Sequence, residues 1–251
     1  MPGLLVGDSR GGHRCSFDDV CNVSIPKSTE TYTPVPNGDL VRMVFGSIKG
    51  FYDLSDDDLK LSLALSSKDQ QMFGAVTINP ISSEAFKSAL TVCFRNSYNK
   101  SLSVALAAGA NSWICSNLQI SGDIIELRKH TSNILNDIEG LIGTVVGNAS
   151  ESFFKSMHAA DQLKKIPVSM DDAYRMVGLA LGYDVLKPQQ ATIVMRELSE
   201  PSYEEFSEKN AWSLYNHFTE SLKKSPAGEV MRRHKKSDDF FKTRYRVGLY
   251  I

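Results

Sequence analysis

The chain has 251 residues, of which 42% are hydrophobic and 23% are charged. This composition is typical of a folded protein with a sizeable core, and it argues against an intrinsically disordered chain. Lys and Arg number 28 against 29 Asp and Glu, so the net charge of −1 excludes a uniformly basic, histone-like or ribosomal protein. The length predicts one large domain, or one domain with an appended subdomain.

The N-terminal part is rich in Gly, Pro, Ser and Thr, which predicts an extended arm over residues 1–38 with a short turn near Ser16–Val20. Over residues 39–50, apolar side chains recur every three or four positions and predict a short amphipathic helix. The acidic run Asp56–Asp58 has the character of a solvated turn.

A strand-rich block follows. Leucines alternate with polar or small residues over Leu59–Leu65, and this period of two predicts a strand. A hairpin loop at Ser67–Gln70 then leads into a return strand over Met72–Ile78. Further strands are predicted at Leu90–Phe94, at Ser112–Cys115, and at Ile124–Leu127 after a turn at Ser121–Asp123.

From Thr131 onward the apolar spacing becomes that of a helix. The positions that mark one long helix are Ile134, Ile138, Leu141, Ile142, Val145, Val146, Ala149, Phe153 and Met157. Two more helices are predicted, from Ser169 to about Leu181 and from Pro188 to about Ser199. The spacing Ser202-x-x-Glu205 predicts a capping box before a last amphipathic helix that ends near Leu222.

These elements predict an α+β protein: an antiparallel sheet flanked by a short and a long helix, followed by a helical C-terminal half. The predicted divisions are an arm over 1–38, an α+β core over 39–165, a helical subdomain over 166–224 and a basic C-terminal segment over 225–251.

The start of the chain lacks the basic and apolar regions of a signal peptide. The longest weakly polar run, Ser103–Cys115, is too short to cross a bilayer. The four cysteines form no CxxC pair, so we expect reduced thiols. We therefore predict a cytoplasmic protein with no membrane partner, no metal and no cofactor.

Charge is concentrated near the C-terminus. Nine Lys/Arg and three Asp/Glu give residues 223–246 a net charge of +6, which leaves −7 for the rest of a chain whose total is −1. Aromatic residues interleave with these cations, a pattern that suits phosphate neutralisation and base stacking. The candidate nucleic-acid ligands in this segment are Arg232, Arg233, Lys235 and Lys236. The alternative is a solvated tail, or one that docks on the acidic part of its own or a neighbouring subunit.

Several common catalytic motifs are absent: the sequence contains no GxxxxGK[ST], GxGxxG or HExxH. Its five histidines form no close pair. We name no catalytic residue, and these absences favour a binding protein over an enzyme.

One polar block directly follows a predicted strand, where binding groups are common. Its cations, amides and hydroxyls suit phosphate or nucleic-acid contacts better than acid–base catalysis, because it has neither a carboxylate nor an imidazole. The candidate ligands are Arg95, Asn96, Ser97, Tyr98, Asn99 and Lys100. The alternative is that Asn96 and Asn99 only satisfy the backbone of a loop.

A second basic block, Arg128, Lys129 and His130, is predicted at the end of another strand. If the two strands are adjacent, these side chains and those of Arg95 and Lys100 form one basic face. For His130, which precedes a predicted helix, the alternative is a hydrogen-bonded neighbour of the helix cap.

These blocks resemble the signature blocks of a phage- and plasmid-related family known as a domain of unknown function. The sequences of those blocks in the family are close to RNSHDKS, VCDNL, RKHT and SLFNAFTE. The matching segments are Arg95–Ser101, Cys115–Leu118, Ser121–Gly122, Arg128–Thr131 and Trp212–Glu220. Tyr98, Asn99 and Ser116 stand where the family has His, Asp and Asp. If the family uses that His and Asp as catalysts or metal ligands, this chain has lost them. The resemblance implies a mobile-element origin and a bacterial host cell.

The basic blocks predict a nucleic-acid-binding protein, with single-stranded DNA as its partner in phage or plasmid replication or recombination. The element order also resembles in outline the annealing proteins of viral recombinases, which implies a homo-oligomer. One alternative is a counter-defence or regulatory protein that binds a host protein. The other is a metal-dependent nuclease, with Asp123 or Glu126 as the metal ligand.

Overall fold

A six-stranded antiparallel sheet is followed by a mostly helical C-terminal half, so the predicted α+β fold class is confirmed. The computed structural model describes residues 12–112, 118–130, 133–226 and 229–248, and for 111–112 and 118–128 it describes the backbone alone. Each strand pairs with its neighbours in the chain. The strands are β1 (His13–Cys15), β2 (Leu59–Ser66), β3 (Gln71–Ser83), β4 (Ser88–Ser97), β5 (Val104–Ser112) and β6 (Leu118–Arg128).

The predicted hairpin of two strands is confirmed as β2 and β3, which pair from Leu59 opposite Ile78 to Ser66 opposite Gln71. The predicted turn at Ser121–Asp123 is wrong, because β6 runs through it. Between Ile120 and Ile125, four residues of β6 lie opposite Ala108 of β5, so the turn-type residues form a bulge. Strand β5 is alanine-rich and was not predicted over its length, since alanine is depleted in strands.

The predicted strand Ser112–Cys115 falls mostly outside the described residues; Ser112 itself ends β5. The N-terminal arm is not extended throughout. It contains β1 and a short helix α1 (Phe17–Asn22), whose first turn is capped by the Ser16 side chain accepting from the backbone N–H of Asp19. A helix therefore replaces the turn predicted there.

One face of the sheet, here called the first face, is covered by helices α2 (Asn37–Tyr52) and α3 (Ile134–Lys164). The alternating leucines of β2 point to this side, as the period of two requires. Phe94 lies opposite Gly74, and a Cβ on Gly74 would approach the Phe94 ring to 2.1 Å. The ring therefore occupies the space that only glycine leaves open at that cross-strand position.

Helix α3 contributes to two cores. Its residues up to Met157 pack against the sheet, whereas Ala159, Ala160 and Leu163 join a second core formed by the helical half. That half contains α4 (Met170–Gly182), α5 (Pro188–Ser199), α6 (Ala211–Leu222) and α7 (Val230–Tyr245). The predicted starts at Ser169 and Pro188 are confirmed, since Ser169 caps α4 and Pro188 opens α5.

The capping box predicted at Ser202 and Glu205 is wrong. The Ser202 hydroxyl and backbone N–H both donate to the buried Glu197 carboxylate at the end of α5, so Ser202 does not begin a helix. Helix α6 begins at Ala211, where the side chain of Asn210 accepts from the backbone N–H of Ser213. It is buried on nearly every side, so it is a core helix rather than an amphipathic surface helix.

The basic C-terminal segment contains a helix, α7, that was not predicted. Its Met231 packs on the second face of the sheet against Phe73, Ala75 and Cys93. Phe240, further along α7, is buried in the helical core. Within the described part of the chain, no helix has the length and apolar character needed to cross a membrane.

Candidate functional site

Three segments that are far apart in sequence meet at one pocket of about 380 Å³. They are part of the N-terminal arm, the loop that joins β4 to β5, and the link that follows β6. The lining residues are Thr31, Tyr32, Lys100, Ser101, Leu102, Ser103, Lys129 and His130. Two of the predicted basic blocks therefore contribute to the same pocket through Lys100, Lys129 and His130.

The arm reaches the pocket through a tight turn held by two backbone hydrogen bonds between Thr29 and Tyr32. The Tyr32 hydroxyl, which is buried, lies 3.5 Å from the backbone oxygens of Ser97 and Tyr98 at the end of β4. Burial raises the pKa of this phenol, so it stays a protonated donor. The backbone N–H of Thr33 also donates to the His130 carbonyl at 3.4 Å. The arm is thus attached to both of the other segments.

Asn96 and Tyr98, predicted as nucleic-acid ligands, are buried and hold the arm in place. The Asn96 amide donates to the Val35 carbonyl and to Asn37 Oδ1, both at 2.7 Å. The Tyr98 hydroxyl accepts from the backbone N–H of Asn37 at 2.8 Å. Because Asn37 begins α2, Tyr98 satisfies one of the N–H groups that a helix leaves free at its start. Neither side chain is placed to meet a ligand at the surface.

Arg95 does not join the pocket. It lies opposite Phe73 in the strand pairing, and its side chain points to the second face of the sheet, away from Asn96. Only 8% of the residue is exposed, and burial lowers the pKa of its guanidinium. The predicted common basic face of Arg95 and Lys100 is therefore not formed, because Arg95 faces the second side of the sheet whereas Lys100 lies in the loop after β4 and lines the pocket.

Ser97 and Asn99 stabilise the β4–β5 loop. The Ser97 hydroxyl donates to the Leu102 carbonyl at 2.9 Å and accepts from the Leu102 N–H at 3.1 Å. The Asn99 side-chain oxygen accepts from both the N–H and the hydroxyl of Ser101. For Asn99 this geometry agrees with the predicted alternative, in which the side chain satisfies the backbone of a loop. The Asn96 side chain instead bonds to the arm.

Lys100 occupies the tip of this loop with a left-handed backbone, φ 60°. Its ammonium group lies 4.5 Å from the centre of the Tyr32 ring, and this cation–π contact holds the positive charge at the pocket. Lys129 is exposed and also lines the pocket. For Arg128, the last residue of β6, the structure describes the backbone alone.

His130 is 8% exposed and packs against Tyr32, with 5.3 Å between ring centres. Its Nδ1 lies 3.4 Å from the Thr33 carbonyl, which makes Nδ1 the protonated nitrogen of the neutral ring. Burial lowers the pKa of this imidazole, and the hydrogen bond to Thr33 opposes that shift. The predicted alternative of a hydrogen-bonded neighbour of the α3 cap agrees with the contact to Thr33, although the partner is the arm.

The lining of the pocket has an electrostatic bias. It carries the ammonium groups of Lys100 and Lys129 and the hydroxyls of Thr31 and Ser103, and none of the described lining residues carries a carboxylate. Ammonium and hydroxyl groups are donors to phosphate oxygens. The arrangement suits an anion with several acceptor oxygens.

The cations of α7 have a different environment. Arg233 is buried and donates to Glu229 through two nitrogens at 2.6 and 2.8 Å. Arg232 also lies 3.5 Å from Glu229. Lys235 pairs with Asp239 at 2.8 Å, and Lys236 with Asp184 at 3.1 Å.

This last pair attaches α7 to the loop between α4 and α5. Hydrogen bonds from Lys187 and Lys236 lower the pKa of Asp184 to about 2. These contacts agree with the predicted alternative, in which the basic segment docks on acidic residues of its own chain. Phe240 and Phe241 are buried in the helical core, so they are not placed to stack on bases.

Within the described ranges, no group of three or more His, Cys, Asp or Glu side chains is close enough to hold a metal ion. Asp123 and Glu126, the ligands of the nuclease hypothesis, lie on β6, where side chains are not described. Comparison of the chain with protein-family models, with curated proteins and with solved structures found no match.

No sequence pattern pointed separately to Thr31, Tyr32 or Ser103 as lining residues. The segment Thr31-Tyr32-Thr33 is β-prone within a proline-containing arm, which is a weak sign that it pairs with something. What it pairs with depends on contacts between residues almost 100 positions apart, such as Thr33 with His130.

Proposed function

We propose that this protein binds single-stranded nucleic acid, with DNA as the expected form, through the pocket between the arm, the β4–β5 loop and the link after β6. The observation that carries the proposal is the convergence of Lys100 and Lys129 on one pocket, whose described lining residues include hydroxyls and no carboxylate. Two cations in one pocket with no carboxylate among its described lining residues would favour phosphate oxygens over neutral ligands.

Phosphate contacts, rather than base stacking, would supply the affinity. The Tyr32 ring is 4% exposed and lies beneath the Lys100 ammonium group, so no open aromatic face is available to a base there. Binding of this kind carries little sequence preference and falls as salt displaces the protein from the phosphates. These properties suit a factor that coats or pairs single strands in replication or recombination, and the family resemblance implies a mobile-element origin for it.

Charge reversal at the pocket tests the proposal. A labelled single-stranded oligonucleotide is titrated with the protein at low salt, and binding is followed by fluorescence anisotropy. The double variant Lys100→Glu/Lys129→Glu is expected to weaken binding by about a hundredfold or more, because it replaces two phosphate contacts with two repulsions.

A matched control keeps the same change in net charge. Lys60→Glu/Lys224→Glu alters two lysines that are exposed and lie outside the pocket lining. This control is expected to change the affinity by less than about threefold. Equal losses in both double variants, or no binding by the unmodified protein at low salt, would refute the proposal.

A second candidate, binding to another protein, is favoured by one observation. Five large apolar or aromatic side chains on or next to α4 and on α5 are more than a third exposed, although single exposed apolar residues are common. They are Tyr174, Leu179, Leu181, Tyr183 and Met195. Tyr174→Ser/Met195→Ser should abolish capture of a protein partner and leave DNA binding unchanged, whereas the pocket variants should do the reverse.

A further inference from the structure

His130 carries an unused hydrogen-bonding atom at the pocket. Its Nε2 is buried and has no hydrogen-bond partner among the described residues, and His130 is one of the residues that line the pocket. A buried polar atom without a partner is uncommon, and leaving it unsatisfied costs about 1–3 kcal/mol. The site therefore has an unmet hydrogen bond beside two lysines.

The tautomer determines what that atom can bind. Because Nδ1 donates to the Thr33 carbonyl, Nε2 of the neutral ring is an acceptor with a lone pair. A lone pair repels the oxygens of an anion. Once the ring takes up a proton, both nitrogens are donors, and Nε2 can donate to an anion without disturbing the bond to the arm.

We infer that His130 is a proton-dependent ligand of this pocket: it binds a phosphate or sulfate-like oxyanion through Nε2–H when its ring is protonated, and so makes anion binding stronger as pH falls. This inference deepens the proposed function and rests on it for the identity of the natural ligand, a phosphate group of a nucleic acid.

The charged and titratable groups around the ring are consistent with such a coupling. Tyr32 faces the imidazole from the arm, and its hydroxyl lies 3.5 Å from the backbone oxygen of Tyr98, the residue that follows β4. Both phenols have a raised pKa because they are buried. Lys100, from the β4–β5 loop, and Lys129, the preceding residue, supply positive charge in the same lining. No carboxylate contributes to the shift of the His130 pKa. A bound oxyanion would supply the negative charge that stabilises the imidazolium.

The experiment needs a probe whose own charge does not change with pH. Inorganic phosphate is unsuitable as the main probe, because its second pKa is about 6 and overlaps that of histidine. Sulfate stays a dianion, and an oligonucleotide without terminal phosphates keeps one charge per internal phosphate. Both are titrated into the full-length protein between about pH 7.5 and about pH 5.5.

The expected result is that the dissociation constant for sulfate falls by about tenfold over this interval, the size of effect that linkage to a single proton gives. His130→Gln keeps a polar side chain that cannot be protonated, and it should remove the pH dependence while leaving binding at the higher pH nearly unchanged. The matched control is His13→Gln, which removes an exposed histidine that pairs with Asp69 and is not among the lining residues.

A direct measurement covers the case in which His130→Gln does not fold. In the unmodified protein, an NMR titration of the histidine ring signals, with and without sulfate, should show the pKa of one imidazole rising on binding. Sulfate affinity that does not vary with pH, or a pH dependence that persists in His130→Gln, would overturn the inference.

The two proposals fail separately. If the oligonucleotide binds through Lys100 and Lys129 with an affinity independent of pH, the proposed function stands and the role of His130 is refuted. If sulfate binds in the pH-dependent manner and the oligonucleotide does not bind, the role of His130 stands and the proposed function is refuted.

Discussion

Two basic regions that look alike in sequence have opposite electrostatic environments in the structure. At the pocket, Lys100 and Lys129 share a lining in which none of the residues that the structure describes carries a carboxylate. On α7, Arg233, Lys235 and Lys236 each lie within 3.1 Å of an acidic side chain.

The difference shows that the number of cations in a segment does not measure its capacity to bind phosphate. A lysine that is paired with a nearby carboxylate must give up that contact before it binds an anion. Because an exposed ion pair and a phosphate contact are of similar, modest strength, the exchange gains little free energy. We therefore expect the segment 223–246, which has the denser cluster of charge, to bind phosphate more weakly than the two lysines of the pocket.

The largest expected effect tests whether α7 is held in place. The Phe241 ring is 1% exposed and lies 5.1 and 5.0 Å from the rings of Tyr215 and Phe218. Phe241→Ala should lower the free energy of unfolding by about 3–5 kcal/mol, because it leaves a cavity in the helical core. Urea denaturation followed by circular dichroism measures it.

The control for this change is Phe154→Ala, which removes a phenylalanine that is 58% exposed on α3. It should cost less than about 1 kcal/mol. Equal losses of unfolding free energy in the two variants would mean that the Phe241 ring does not anchor α7. The fixed geometry of the ion pairs on that helix would then have no support.

The next effect concerns pH and α7. His234 is fully buried, and burial, with a smaller contribution from Lys223, lowers its pKa to about 4. An unfolded histidine titrates near 6.5, so this group stabilises the fold above that pH, and the stabilisation is lost as pH falls from 6.5 towards 4. The loss should reach about 3 kcal/mol at the lower end.

Denaturation of the unmodified protein and of His234→Gln at a series of pH values measures this loss. The variant should be less stable at neutral pH, and its stability should depend less on pH across the interval. Parallel curves for the two proteins would assign the acid sensitivity to other groups.

A third change compares the two basic regions directly. Lys100→Gln/Lys129→Gln should weaken binding to single-stranded DNA by about thirtyfold at low salt, or about 2 kcal/mol. It should also reduce the slope of log affinity against log salt by about 1.4, because each phosphate contact with a single strand contributes about 0.7.

The matched pair is Lys235→Gln/Lys236→Gln on α7, for which the slope should change by less than about 0.5. A larger change of slope for the α7 pair than for the pocket pair would reverse the comparison, and would assign the main phosphate contacts to the C-terminal helix.

The smallest expected effect tests how the pocket is built. Tyr98→Phe removes only the hydroxyl that accepts from the Asn37 N–H at the start of α2. The loss should be about 1–2 kcal/mol of unfolding free energy, because the N–H is buried and left without its partner. Tyr174→Phe removes an exposed hydroxyl and should have no measurable effect, and thermal denaturation of the two variants distinguishes them. A stable Tyr98→Phe protein would mean that the arm is held by its other contacts alone.

Much of the secondary structure could be predicted from local pattern. The alternating leucines of β2 and the apolar period of α3 are properties of short windows, and Ser169 and Pro188 are helix-start residues in their own right. Local pattern failed where turn residues were used in a bulge, at Ser121–Asp123, and where Ser202 bonded to Glu197 instead of capping a helix. In both cases a contact with another element used a residue that also suits a turn or a cap.

For the candidate site, the sequence by itself identified the strand ends that carry Lys100, Lys129 and His130, because polar residues after an apolar strand are a local signal. Only the tertiary structure decided which neighbours take part. Successive residues of β4 face opposite sides of the sheet, so Arg95 is buried on one side and Asn96 on the other, and the sequence does not state which helix covers which side. The tertiary structure also decided the electrostatic environment of each lysine. Whether a lysine is available to a phosphate depends on the distance to its nearest carboxylate, and for Lys236 that carboxylate, Asp184, is 52 positions away in the chain.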